Sequence, residues 1–148
     1  SQLASSILQS IWFSNQKVIR NKFDTNTELV LNEKLVKFLI DYFGSVNLIL
    51  KLNELCKNDS SLLAETGLDY RINKGLIKYF IETEHAMHLD DIMMRRFRFI
   101  LTENDCGTLI SEHIAQEMAD ILKWDKQRTE WEIKRYRTEI KRARVALY

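Results

Sequence analysis

Glu82, His85, His88 and Asp91 follow one another at intervals of three residues. On one uninterrupted helix they would form a ladder, because side chains three apart are neighbours, and two carboxylates with two imidazoles suffice for a divalent metal. They lie in ETEHAMHLDDIMMRR, Glu82 to Arg96, which packs four acids, two histidines and two adjacent arginines into fifteen residues. The apolar pattern argues against an uninterrupted helix. Ala86 and Met87 complete one stripe, while Leu89, Ile92 and Met93 begin another that is out of phase, so the chain turns near His88 and the four groups splay apart. No catalytic, cofactor-binding or metal residue is assigned on this pattern.

The same residues make a corner between helices. An S/T-x-x-D/E box caps a helix start, the first residue bonding forward and the acid bonding back. His88-Leu89-Asp90-Asp91 has that layout with histidine in the capping place, where threonine would cap better. Asp90 and Asp91 then occupy a first turn, favoured by the helix dipole, with Arg95 and Arg96 one turn on. Glu84, from the preceding helix, is expected to reach one of those arginines and pin the two helices at an angle.

A second candidate is KRYRTEIKRAR, Lys134 to Arg144. Residues 125–148 hold eight basic and four acidic side chains. Nucleic-acid binding needs basic residues gathered on one face, ideally beside exposed aromatics. Here Glu130, Glu132 and Glu139 interleave and Tyr136 falls on the apolar seam, so a solvated helix face is the expected reading. Cys56 and Cys106 lack metal or redox spacing and read as reduced thiols of a cytosolic protein. No serine or cysteine sits in a nucleophile elbow, and no glycine-rich loop suits a phosphate.

The elements that must position these groups are helical. Proline is absent and glycine occurs only at 44, 67, 75 and 107, while apolar residues recur at three and four. With 148 residues, 45% apolar, 29% charged and a net charge of +1, the chain is long enough for one folded domain. It has no run long enough to span a bilayer and no recognisable signal peptide. The expectation is an all-α protein, a compact orthogonal bundle of about six or seven helices with no sheet. Residues 1–31 read as an N-terminal helical arm (Leu3 to about Arg20) and linker, and 32–148 as the helical domain.

Within that domain, Asn32 caps a helix ending at Gly44 and Ser45 caps the next. KNDSSLLAETGLDYR is a loop, a helix runs from about Asn73 to Ala86, and Leu89–Leu101 forms another. Gly107 and Thr108 open a further helix, which breaks at Trp124-Asp125. The last helix spaces Ile133, Tyr136, Ile140, Ala143 and Leu147 by three and four, a seam suited to a partner helix.

The corner and the chain beyond it resemble the C-terminal helical domain of FAD-dependent glycerol-3-phosphate dehydrogenases. Tyr79, Glu84, Ala86, Asp91, Arg95 and Arg96 match that family's Y-A-x-x-x-E-x-A-x-T-x-x-D-x-L-x-R-R pattern. Met118, Ala119, Leu122, Trp124 and Asp125 match M-A-x-x-L-G-W-D, and Glu132, Ile133 and Tyr136 match E-I-x-x-Y. The likeness covers about residues 38 to 140. Three positions depart from it: Leu76 stands for a glutamate, His88 for the capping threonine and Lys123 for the glycine before the tryptophan.

The resemblance implies a division of labour. In such enzymes a large N-terminal α/β part binds FAD and glycerol 3-phosphate, and G-x-G-x-x-G is lacking in this chain. The chain is thus expected to be an accessory domain of a longer quinone-linked flavoenzyme, holding no cofactor itself. Its expected partner is its own N-terminal flavin domain, with a homodimer through the last helix as a further expectation. The parent is expected in the cytoplasm or peripherally at the inner face of the membrane. The alternatives are a free-standing helical interaction module and, third, a weak nucleic-acid binder through the basic last helix.

Overall fold

The computed structural model describes residues 28–67 and 69–147, so the helical arm expected at Leu3–Arg20 lies outside the described residues. The chain divides into two compact units, one ending at Leu63 and the other starting at Ala64.

The first unit contains α1 (Glu33–Phe43), α2 (Val46–Asn58) and a 3-10 turn (Ser60–Leu63). The Asn32 side chain accepts a 2.8 Å hydrogen bond from the Leu35 N–H, and Ser45 does the same for Leu48 at 3.2 Å. Each satisfies one of the donors that a helix start leaves unpaired. Gly44 ends α1 at φ 62, the left-handed geometry that glycine adopts without strain. Leu35, Val36 and Leu39 of α1, with Ile49 and Leu52 of α2, are buried. Beside them the buried Asn53 accepts from the Val30 N–H and donates to the Glu28 carbonyl, both at 2.8 Å. A polar side chain thereby ties the entering strand of chain to α2.

The second unit begins with two strands, β1 (Glu65–Thr66) and β2 (Asp69–Asn73). They pair antiparallel with Glu65 opposite Asn73 and Thr66 opposite Asp69. The expected absence of a sheet is therefore corrected: part of the segment read as a loop is a small hairpin. Its signal was too short for alternation to register, since only Ile72 and Asn73 of β2 are buried. The chain otherwise continues helical, with α3 (Lys74–Glu84), a π-helical turn (Asp91–Arg96), the single turn α4 (Phe99–Thr102), α5 (Thr108–Leu122) and α6 (Lys126–Leu147). No helix among the described residues is long and apolar enough to cross a membrane.

The expected Leu89–Leu101 helix is two pieces. Arg98, at φ 53, breaks it, because an L-residue in the left-handed region cannot continue a right-handed helix. The break lets Phe97 and Phe99 stack, centroids 4.8 Å apart, with Phe80 edge-on to Phe97 at 5.7 Å. These rings are buried with Leu76, Ile77, Met93, Ile114 and Met118. α5 packs against both α3 and α6. Both cysteines are buried and carry no disulfide.

The hairpin is fastened to the chain after α4 by Arg71. Its guanidinium bonds Asp69 at 2.6 Å and Glu103 at 2.5 Å and lies 5.0 Å over the Phe99 ring. Burial pushes the Asp69 carboxyl up, but the hydrogen bonds and charge of Arg71 outweigh it and hold the group below its ordinary value of 3.8. A depressed carboxylate stabilises the fold fully above its unfolded pKa and ceases to do so as pH falls through the folded one. Asp69→Asn is therefore expected to lower stability near neutrality and to flatten its decline on the acid side of 3.8. Denaturant titrations at stepped pH values read this directly.

Candidate functional site

The corner is made by the end of α3 and the start of the π-helical turn. His85 caps α3 at φ 56, and the Ala86 N–H returns to the Phe80 carbonyl at 3.0 Å. Asp91 then accepts from two backbone groups, the Met87 N–H at 3.0 Å and the His88 N–H at 2.9 Å. The returning half of the capping box is present. Glu84 meets Arg96 in an ion pair, so the acid of α3 holds the far end of the corner. Arg95, largely exposed, lies 3.5 Å from Asp91. Tyr79 is buried; burial first, and then Glu84, push its phenol up, with Arg96 opposing.

The four groups of the ladder do not converge. Asp91 turns to the backbone and to Arg95, Glu82 pairs with Lys78 across one helical turn, and His85 is exposed. The forward half of the capping box also fails: the His88 imidazole leaves its own turn and its Nδ1 lies 2.8 Å from Glu132 of α6.

Glu132 is the centre of the arrangement, and its side chain is completely buried. Its Oε1 receives His88 Nδ1 at 2.8 Å, Arg128 Nε at 3.0 Å and Arg128 Nη2 at 2.9 Å. Its Oε2 receives the Leu89 N–H at 3.0 Å. Nearby, Arg135 reaches Asp90 at 3.3 Å. α6 therefore holds the corner by both charge and backbone hydrogen bonding.

His88, Asp90 and Glu132 each bring a ligand-type atom within 4.8 Å of the others, which raises the metal question again with different residues. An ionised carboxylate accepts at about four lone-pair sites, and Glu132 has four donors. His88 Nδ1 lies 2.8 Å from it, and facing an ionised carboxylate, which only accepts, that nitrogen would carry the hydrogen. Two guanidiniums already supply the positive charge a cation would bring. The arrangement is a salt-bridge network whose buried centre, Glu132, is paired at both oxygens, as a carboxylate kept in a protein interior must be; Asp90 Oδ1 is buried without a hydrogen-bond partner.

Sequence reasoning named Glu132 within a matching motif but missed its role. A signal existed: Glu132, Tyr136 and Ile140 are four apart, so the glutamate shares the stripe of two core residues. An acid on a buried stripe has to find partners. Of the seam, Tyr136 and Ile140 are buried, and the Tyr136 hydroxyl donates to the Cys106 carbonyl. Burial, with Cys106 and Asp105 nearby, pushes that phenol strongly up.

At the other end of α6, Asp125 accepts from the Arg128 N–H at 2.7 Å and caps the helix. Arg128 stacks over Trp124 and Trp131, 5.3 Å from each centroid. Lys123 closes α5 at φ 60, the conformation at which glycine is favoured. That accounts for the glycine in the matching motif, and Lys123→Gly is expected to stabilise the chain by about 1 kcal/mol, measured by thermal or denaturant unfolding. Leu76, the other departure, is fully buried, where an unpaired glutamate would be costly.

His88→Thr is expected to destabilise by about 1–2 kcal/mol, although threonine caps better, because the shorter side chain gives up the contact with Glu132. A rise in unfolding midpoint would show that the cap outweighs that contact.

The pattern of the C-terminal domain of alpha-glycerophosphate oxidase matches residues 12–129, and the chain belongs to that family of helical domains. Relatives include the proteins named Glycerol-3-phosphate dehydrogenase 2 of Mycobacterium bovis and Mycobacterium tuberculosis, each 29% identical over 101 residues. The match takes in 68% of this chain and spans 17% of the length of those relatives. No solved structure matches the chain.

Proposed function

We propose that this chain is the accessory C-terminal domain of a flavoenzyme that oxidises glycerol 3-phosphate to dihydroxyacetone phosphate and passes the electrons to quinone. The observation that carries the reading is the family match over residues 12–129. The site supports a structural role within it. Glu84, Asp91, Arg96 and Asp125 of the matching motif all engage their own chain, and Glu132 is filled by its own neighbours.

The described residues form no glycine-rich dinucleotide cradle for FAD. A dinucleotide cradle needs a glycine-rich turn between a strand of a parallel sheet and a helix. The two described strands run antiparallel, and β2 leads into α3 through Asn73, whose side chain caps the Leu76 N–H at 2.8 Å. Flavin, substrate and any attachment of the parent to the inner face of a membrane are thus assigned to the larger part of the parent. The contribution of this domain is structural.

The test compares the 148-residue chain with its full-length parent, both purified and incubated with FAD. The parent is expected to retain flavin absorbance and to reduce a quinone analogue with glycerol 3-phosphate. The chain alone is expected to do neither. Retained flavin on the isolated chain, or a parent inactive toward glycerol 3-phosphate, would overturn the proposal.

A further inference from the structure

The last helix has an outer face that the network around Glu132 does not use. Trp131, Lys134, Thr138, Lys141 and Arg142 recur at three, four, three and one, so they share one side of α6, opposite the buried Tyr136 and Ile140. Trp131 is 49% exposed, unusual for the largest apolar side chain. It is nevertheless held in place: the Arg128 and Arg135 guanidiniums lie 5.3 and 5.4 Å from its ring centroid, and the His88 ring is 6.3 Å away. Beside it, Trp131, Lys134, Arg135, Thr138 and Arg142 line an open groove of about 470 Å³, with Glu139 as its acid.

Arg142 meets Glu139 at 3.0 Å and Arg135 meets Asp90 at 3.3 Å. Lys134 and Lys141 remain as cations beyond those pairs. The face is therefore net basic around a fixed, exposed tryptophan. Tryptophan and arginine dominate binding hot spots, because a rigid aromatic covers much area at little entropic cost.

We infer that this face docks an acidic protein segment carrying an apolar side chain, the acids meeting Lys134, Lys141 and Arg142 and the apolar group covering Trp131. A second copy of the chain would present the same positive charge and be repelled. A nucleic acid gains by stacking bases flat on open aromatic faces, for which the two guanidiniums over Trp131 compete, whereas an apolar side chain needs only the part of the ring left exposed. Charge complementarity and the preformed aromatic thus favour a peptide.

The probe is a fluorescein-labelled twelve-residue peptide alternating glutamate with leucine and phenylalanine, titrated with the full chain and followed by anisotropy. Saturable binding that weakens with added salt is expected. Trp131→Ala and the double variant Lys134→Glu/Arg142→Glu should each weaken it about tenfold or more, with unchanged circular dichroism. Lys126→Glu, on another side of the helix, should leave it within about twofold. No saturable binding, or binding indifferent to Trp131→Ala, would overturn the inference. So would tighter binding to single-stranded DNA or to phosphatidylglycerol vesicles, or peptide-independent dimerisation lost in Trp131→Ala. None of these outcomes depends on flavin or glycerol 3-phosphate, so the inference fails or stands apart from the proposed function.

Discussion

Glu132→Ala is expected to lower the stability of the chain by about 3 kcal/mol, one of two strong effects. The variant removes the acceptor of three hydrogen bonds and of a further ion-pair contact from Arg128 Nη2. The partners differ in what they lose. Arg128 and His88 have side chains 42% and 34% exposed, so water can rehydrate them and the ion pairs themselves are a modest part of the loss. The Leu89 N–H cannot be rescued in this way, because Leu89 is fully buried and its donor would lie unpaired beside a cavity. Glu132→Gln is expected to cost less, yet still about 2 kcal/mol. Its amide would turn an NH2 group toward existing donors, either Leu89 or the His88 and Arg128 cluster. Calorimetric or denaturant unfolding of the three proteins gives the ranking. An alanine variant as stable as the wild type would remove Glu132 from the centre of this account.

Gly107→Ala is the second, at about 2–4 kcal/mol. Gly107 precedes α5 at φ 74, where an L-residue is strained. A Cβ there would also stand 2.6 Å from Met93 Cε and 2.9 Å from Phe99 Cβ. Met93 has a flexible end and can move. The Phe99 Cβ is fixed by the backbone of α4 and by stacking on Phe97, so the strain has no easy outlet. Gly44→Ala makes the comparison: Gly44 has φ 62 but open space around its missing Cβ. It should cost only about 1 kcal/mol, and the difference between the two variants isolates the packing contribution.

How far the fold was legible depends on how local each element's determinants are. α1, α2 and α3 carry local start and stop signals in Asn32, Gly44, Ser45 and Asn73, and such signals act within one turn. The hairpin Glu65–Asn73 has only Gly67, in its turn at φ 62, as a local mark, since its second strand buries little and is fixed by Arg71 reaching Glu103, thirty-two residues away. The break at Arg98 was equally hidden. Nothing local requires a positive φ at an arginine, and the stacking of Phe97 on Phe99 accompanies it.

The corner was legible in part for the same reason. Asp91 returning to the His88 backbone is a three-residue affair and is set by spacing. Glu84 meeting Arg96 is set by two helices turning at a known place. The His88 side chain was misassigned because its partner is forty-four residues ahead, and distance in sequence carries no geometry. The acid at 132 did lie on the buried stripe of α6, so a carboxylate needing partners was visible, though not which partners.

The central claim is that the charged corner is a clasp held by α6 and not a ligand site. It is tested most directly by thermal unfolding of the wild type and Glu132→Ala, each with EDTA and with excess zinc. The account predicts a wild-type midpoint indifferent to zinc, and a variant midpoint lower by roughly 10 °C in both conditions. A zinc-dependent rise in the wild type that disappears in Glu132→Ala would contradict it and make His88, Asp90 and Glu132 a metal centre.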